Sequence, residues 1–152
     1  MMTLKMAAPR RILGGLALAV LALPLAACGD DASDSPGASS SCTYTDDSRP
    51  AAKEVERPAA KPTREGTVEA TLATTVGDLE FDLDADAAPY TVNSFVSLAE
   101  QGYFDGTTCH RLVTEDIFIL QCGDPTATGT GGPGYSYADE LTGKETSPAG
   151  TL

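Results

Sequence analysis

The chain has 152 residues, enough for one domain, and 41% of them are hydrophobic. Its 22 acidic residues outnumber its 10 basic residues, which gives a formal net charge of −12. A strongly acidic chain is repelled by phosphate backbones, so this composition disfavours nucleic-acid binding.

Residues 1–27 are typical of a secretory signal peptide. Lys5, Arg10 and Arg11 precede an apolar run over residues 12–23. That run is too short and too uneven for a stable membrane span, so a transmembrane anchor is the weaker alternative. The signal contains no acidic residue, and removing its three basic residues from a net charge of −12 leaves a mature chain of −15.

The predicted signal ends in the sequence LAAC, which closes at Cys28. Small residues before a cysteine resemble the bacterial lipobox, in which that cysteine is lipidated and becomes the mature N-terminus. Several acyl chains can hold a soluble domain at a bilayer, whereas one chain binds only marginally. We therefore expect an extracytoplasmic protein anchored to the cell membrane by lipid on Cys28, with a simply secreted protein as the alternative.

Residues 28–66 contain almost no large apolar side chains. Residues 30–41 consist mainly of Asp, Ser, Ala and Gly, and the sequence RPAAK at residues 49–53 recurs at 57–61. This composition predicts a disordered tether followed by a semi-extended Pro/Ala-rich spacer. A recognition role for the repeat is the less favoured alternative.

An ordered, mainly β domain is predicted over residues 67–152. Alternating apolar residues predict a hairpin whose turn lies at Gly77-Asp78, the first strand containing Val68, Ala70 and Leu72 and the second Leu79, Phe81 and Leu83. A helix is expected to begin at Pro89 and to end at Gly102. Residues 107–113 and 117–122 predict a second strand pair, and residues 125–135 form a glycine-rich loop.

Most reactive side chains favour structural roles. His110 is the only histidine and lacks companion ligands, so no metal site is expected. Cys109 beside it is a poor candidate nucleophile, because neighbours in a strand point to opposite faces. The acidic residues 82, 84 and 86 lack the glycine-spaced loop of a calcium site, and the glycine-rich loop lacks the Lys-Ser/Thr of a phosphate-binding loop.

Several blocks in the right order carry a specific resemblance. The stretch 103–135 reads YFDGTTCHRLVTEDIFILQCGDPTATGTGGPGY, and TVNSF at 91–95 precedes it. These blocks resemble the cyclophilins, the cyclophilin-type peptidyl-prolyl cis-trans isomerases, over residues 68–152. The resemblance implies a closed antiparallel β-barrel capped by helices, of which this chain carries the N-terminal part. It also implies catalysis without a cofactor.

The resemblance implies roles for six residues of this sequence. Arg111 would be the catalytic arginine, Phe118 would line the proline pocket and Gln121 would bind the substrate backbone. The substrate-binding positions would also include Ile119, Gly129 and His110.

Two cysteines depart from the family pattern, Cys109 and Cys122. They lie at the far ends of one hairpin, so a disulfide is expected between them, as a Cα separation under about 7 Å would show. Strand alternation opposes this, because a plain ladder cannot join the cysteines and also place Arg111 beside Gln121; a β-bulge would reconcile the two. Cys42 has no evident partner.

The sequence is compatible with two functions. The first is isomerisation of X-Pro bonds, with proline-containing peptides or unfolded exported proteins as partners. The second is a non-catalytic surface lipoprotein whose β-domain binds peptide or is inert. The family segments that close the proline pocket are expected after Leu152, so the chain is read as a fragment, a truncated gene product or an incomplete gene model.

Overall fold

The computed structural model describes residues 3–6 and 41–152, which belong to one compact unit. These residues form seven strands and one helix, in the order β1 (Thr3–Met6), β2 (Thr45–Asp46), β3 (Thr67–Thr74), β4 (Gly77–Asp84), α1 (Pro89–Glu100), β5 (Arg111–Val113), β6 (Ile119–Gln121) and β7 (Tyr135–Ser136). The strands pair antiparallel in three sheets, β1-β3-β4, β2-β7 and β5-β6. The mainly β prediction is confirmed, and the described strands do not close into a barrel.

The first predicted hairpin is β3–β4, but its turn lies two residues earlier than predicted. Thr74 pairs with Gly77, so Thr75 and Val76 form the turn and Gly77 already belongs to β4. The hydroxyl of Thr74 accepts a hydrogen bond from the Val76 amide at 3.1 Å and donates to the Gly77 carbonyl at 2.6 Å. Thr74 therefore fixes the turn locally, whereas Gly77, which the sequence places in the turn, lies in β4.

Helix α1 packs its apolar face on the β3–β4 hairpin. Val92 and Val96 are each 4% exposed, and each buried side chain of this size contributes about 1.5–3 kcal/mol. The ring of Phe95 lies 6.1 Å from that of Phe81 on β4. The helix begins at Pro89 as predicted, and it ends before Gly102, whose φ of +66° stops the helical path.

The N-terminus of α1 is capped from a distant part of the chain. Ala88 at the N-cap has no side-chain hydrogen bond, and the first turn contains no acidic residue. Glu140 supplies the missing side-chain cap and the missing acidic group. Its carboxylate accepts hydrogen bonds from the amides of Tyr90 and Thr91 at 2.9 and 2.8 Å. A negative charge at this position satisfies free amides and complements the helix dipole.

Residues 42–61, here called the strap, differ from the predicted disordered spacer. The strap closes on itself, with the Cys42 amide donating to the Ala60 carbonyl at 2.7 Å. Cys42 and Tyr44 are buried, and the ring of Tyr44 lies 5.4 Å from that of Tyr135. Burial raises the pKa of Tyr44 to about 12. The buried side chains of Cys42 and Tyr44 thus help to attach a segment that composition alone marks as polar.

The predicted signal peptide is described only at residues 3–6, which form β1 against β3. Its apolar run and Cys28 lie outside the described residues, as does the start of the predicted tether. Within the described part of the chain, no helix is long and apolar enough to cross a membrane.

Candidate active site

The β5–β6 hairpin places the two central predicted residues side by side. Arg111 pairs with Gln121 and Val113 pairs with Ile119, so these four residues share one face of the hairpin. Arg111 is exposed, and no acidic side chain among the described residues lies within ion-pair distance of it. Its guanidinium is therefore free to meet a ligand, with an amide side chain beside it.

A β-bulge and a disulfide fix this arrangement. The His110 amide donates to the Gln121 carbonyl at 3.0 Å, so His110 and Arg111 both oppose Gln121. Two residues opposite one define a bulge, and the shift brings Cys109 opposite Cys122. The predicted disulfide is present, with a Cα separation of 4.0 Å. The bulge resolves the conflict of strand alternation as expected.

The glycine-rich loop (residues 125–135) meets the hairpin at Gly129. A Cβ built on Gly129 would lie 3.3 Å from Nε2 of His110 and 3.8 Å from Nε2 of Gln121. Gly129 also has a φ of +81°, which side chains rarely adopt. Glycine is therefore favoured here chiefly by its conformation, and the loop packs closely on the histidine ring. Neither ring nitrogen of His110 has a hydrogen-bond partner among the described residues.

Asp124 organises the glycine-rich loop, a role that sequence reasoning missed. Its Oδ1 accepts the Thr126 amide at 2.7 Å, and its Oδ2 accepts the amides of Thr128, Gly129 and Gly131 at 3.1, 2.7 and 3.2 Å. Burial opposes ionisation, but these hydrogen bonds outweigh it and hold the pKa of Asp124 below its ordinary 3.8. An Asp two residues before a Thr in a turn-rich stretch was the available signal.

No described element packs over Phe118 to form a pocket wall beside Arg111 and Gln121. It precedes β6 and is 81% exposed, while Ile119 on β6 is half-buried. The acidic tip of the hairpin includes Asp116, whose φ of 60° lies in the left-handed region that Asp tolerates. The predicted role of Phe118 in a proline pocket stays a prediction.

The other candidate groups serve the local backbone. The Asp84 carboxylate accepts the amides of Asp86 and Ala87 at 3.1 and 3.0 Å, and Asp86 accepts the Gly66 amide at 2.7 Å. No group of three or more His, Cys, Asp or Glu in residues 3–6 and 41–152 is placed to hold a metal ion. Cys42 is a buried free thiol.

The comparisons with known proteins identify the family. A family model described as cyclophilin type peptidyl-prolyl cis-trans isomerase/CLD matches residues 69–151. The chain therefore belongs to the cyclophilin-type peptidyl-prolyl cis-trans isomerase family, as the sequence motifs predicted. The matched region contains the β5–β6 hairpin and the glycine-rich loop.

Curated relatives carry the same description. The chain is 47% identical over 102 residues to a probable peptidyl-prolyl cis-trans isomerase B of Mycobacterium tuberculosis (strain ATCC 25618 / H37Rv), covering 65% of this chain and 33% of the relative. It is 48% identical over 102 residues to the Mycobacterium leprae protein of that name, covering 65% and 35%. A putative isomerase of Staphylococcus haemolyticus is 43% identical over 84 residues, covering 53% and 41%. The chain thus spans a minority of each relative's length, and no solved structure matches it significantly.

Proposed function

We propose that this chain carries the catalytic hairpin of an isomerase that acts on X-Pro peptide bonds. The observation that carries the proposal is the pairing of a free Arg111 with Gln121 on one bulged hairpin, against Gly129 and His110. Family membership and the names of the mycobacterial relatives support it.

The chemistry suits these residue types. Rotation about an X-Pro bond is opposed by amide resonance, with a barrier of about 18–20 kcal/mol. The Arg111 guanidinium stabilises the lone pair of the prolyl nitrogen as resonance is lost, which favours the twisted transition state. Gln121 holds the substrate backbone beside it. No covalent bond is broken, so the reaction needs neither a nucleophile nor an acid–base pair.

A series at Arg111 tests the proposal. Arg111→Ala is expected to lower kcat/KM for a short X-Pro peptide by about 10²-fold or more, the usual effect of removing one transition-state donor. Arg111→Lys is expected to recover little, because an ammonium lacks the planar donor array of a guanidinium. Arg64→Ala is the matched control, since Arg64 contacts Glu100 on α1 at 2.9 Å. Equal activity of Arg111→Ala and the control would refute the role of Arg111.

The substrates are exported proteins, whose folding the isomerase assists outside the cytoplasm. The disulfide between Cys109 and Cys122 supports an oxidising compartment. The signal-like sequence and Cys28 support lipid anchoring to the cell membrane. Cys28→Ala is expected to move the protein from the membrane fraction to the soluble fraction, and retention in the membrane would count against the anchor.

A second candidate function is peptide binding without turnover. The observation that favours it is the exposure of Phe118, which has no described wall opposite it to grip a proline ring. This candidate expects an X-Pro peptide to bind at Arg111 and Gln121 with no increase in its isomerisation rate. The proposed isomerase expects both effects together.

A further inference from the structure

The strap runs along the outer edge of the glycine-rich loop and is hydrogen-bonded to it repeatedly. Strand β2 of the strap pairs with β7, and the Asp47 amide then donates to the Gly134 carbonyl at 3.0 Å. The Ala52 amide donates to the Gly132 carbonyl at 2.8 Å. The Arg49 guanidinium donates to the Thr130 carbonyl at 2.9 Å. Three carbonyls of the loop are therefore held by the strap.

Close packing accompanies these hydrogen bonds. A Cβ built on Gly134 would lie 2.9 Å from the Ala51 backbone nitrogen, and one built on Gly131 would lie 3.0 Å from the Ala52 Cβ. Such distances leave no room for side chains between the two segments. The glycines of the loop thus allow both the strap and the β5–β6 hairpin to approach the loop backbone closely.

The far end of the strap is fixed independently of the loop. The Gln101 side chain accepts the Glu56 amide at 2.7 Å and donates to the Glu56 carbonyl at 3.0 Å, next to the end of α1. Arg57 forms an ion pair with Asp46 and donates to the Tyr44 carbonyl at 3.2 Å. The strap is therefore a closed loop anchored on α1, so it can restrain the glycine-rich loop that it contacts.

The two copies of the RPAAK sequence divide these tasks. Residues 49–53 contact the loop through Arg49 and Ala52, and Lys53 donates to the Gly102 carbonyl at the helix end. Residues 57–61 close the strap through Arg57 and the Ala60 carbonyl. Composition predicted this repeat to be a spacer. Its first copy instead contacts the glycine-rich loop, and its second copy closes the strap.

We propose that the strap is a positioning element for the substrate site, which fixes the glycine-rich loop from outside while Asp124 fixes it from inside. Arg49 and the Ala52 amide are its positioning groups. They touch neither Arg111 nor Gln121, and they act by holding Thr130 to Gly134 so that Gly129 stays against His110 and Gln121. The part of this proposal that concerns peptide binding rests on the proposed function.

Hydrogen exchange tests the positioning directly, using the full chain with its disulfide intact. Arg49→Ala is expected to raise amide exchange in residues 129–134 by between about two- and tenfold, the factor for one lost hydrogen bond. Lys61→Ala is the matched control, because Lys61 is exposed and has no hydrogen bond or ion pair to other described residues. Unchanged exchange in Arg49→Ala overturns the proposal.

A second variant acts on the packing. Gly134→Ala is expected to push the strap from the loop and to raise exchange in both segments, since its Cβ would meet Ala51 and its φ of +80° strains alanine. A separate titration measures binding of a short X-Pro peptide, which needs no turnover.

Arg49→Ala is expected to weaken this peptide binding by about the same two- to tenfold factor as the change in hydrogen exchange. Raised exchange with unchanged peptide affinity overturns the positioning role, whereas a wild type that binds without isomerising the peptide counts against the proposed function alone.

Discussion

Replacing Gly131 with alanine is expected to destabilise the protein, whereas the same change at the adjacent Gly132 is not. A Cβ on Gly131 would overlap Oδ1 of Asp124 and lie 2.9 Å from its Cγ and 3.0 Å from the Ala52 Cβ. A Cβ on Gly132 would meet no atom within 4 Å. Neither glycine has a positive φ, so neither change introduces left-handed backbone strain, and the space available is the main difference between them.

The cost at Gly131 follows from what would have to move. The Asp124 carboxylate cannot swing aside without losing its hydrogen bonds to Thr126 and Gly129, and Ala52 is held to Gly132 through its amide. Overpacking of this kind costs about 1–3 kcal/mol. In a domain of about 100 residues, each kcal/mol lost from the free energy of unfolding lowers the Tm by roughly 4–8 °C. At Gly132, alanine is expected to be neutral or to stabilise by about 0.4–1 kcal/mol through the unfolded chain.

Thermal unfolding of both variants, followed by circular dichroism, measures this difference. A lower Tm is expected for Gly131→Ala, and a Tm at or above wild type is expected for Gly132→Ala. Equal Tm values for the two variants would refute the packing of Asp124 and Ala52 against Gly131. Parallel hydrogen exchange then shows whether the loss begins in the glycine-rich loop.

Three further changes test other parts of the structure. Glu140→Gln is expected to lower the free energy of unfolding by about 0.5–2 kcal/mol in chemical denaturation, because α1 loses its charged cap. Because the pKa of Asp124 is lowered in the folded state, its stabilising contribution is complete above its ordinary pKa of 3.8 and is lost as the pH falls below it. A Tm-against-pH profile is therefore expected to decline below about pH 4 in wild type and to decline less steeply there in Asp124→Asn, since the lowered pKa of Glu145 still contributes. Reduction of the Cys109–Cys122 disulfide, which spans a sequence separation of 13, is expected to cost about 3 kcal/mol, and an unchanged denaturation midpoint after reduction would contradict this.

The β5–β6 hairpin could be predicted because its constraints are local. Motif order placed Arg111 and Gln121 on neighbouring strands, and strand alternation then conflicted with the disulfide from Cys109 to Cys122. Only one extra residue could satisfy both requirements. The structure contains that bulge, so a conflict between two local rules predicted a specific backbone feature.

The strap could not be predicted because its contacts are distant in sequence. Arg49 and Thr130 are 81 residues apart, and the bonds from the Asp47 and Ala52 amides to loop carbonyls join backbone groups that carry no residue-type signal. Pro, Ala and charged residues are common in extended linkers, so composition favoured a spacer. The two buried side chains of Cys42 and Tyr44 were the available hint.

The position of Phe118 shows a different limit. The family resemblance assigns it to a proline pocket, but a pocket requires walls from several elements, and the described residues provide the hairpin and the loop. Local sequence fixes which strand end carries Phe118, whereas its burial depends on what packs opposite. Its role therefore remains a prediction that rests on the family.

The most direct test of the central claim is exchange NMR of a short X-Pro peptide mixed with a small amount of the wild-type chain. Uncatalysed isomerisation takes tens to hundreds of seconds, so no cis–trans exchange peaks form in the free peptide at sub-second mixing times. If the hairpin is catalytic, such peaks appear on adding the wild-type protein and disappear with Arg111→Ala. Peptide resonances that shift on binding without any exchange peaks would contradict the isomerase and support binding alone.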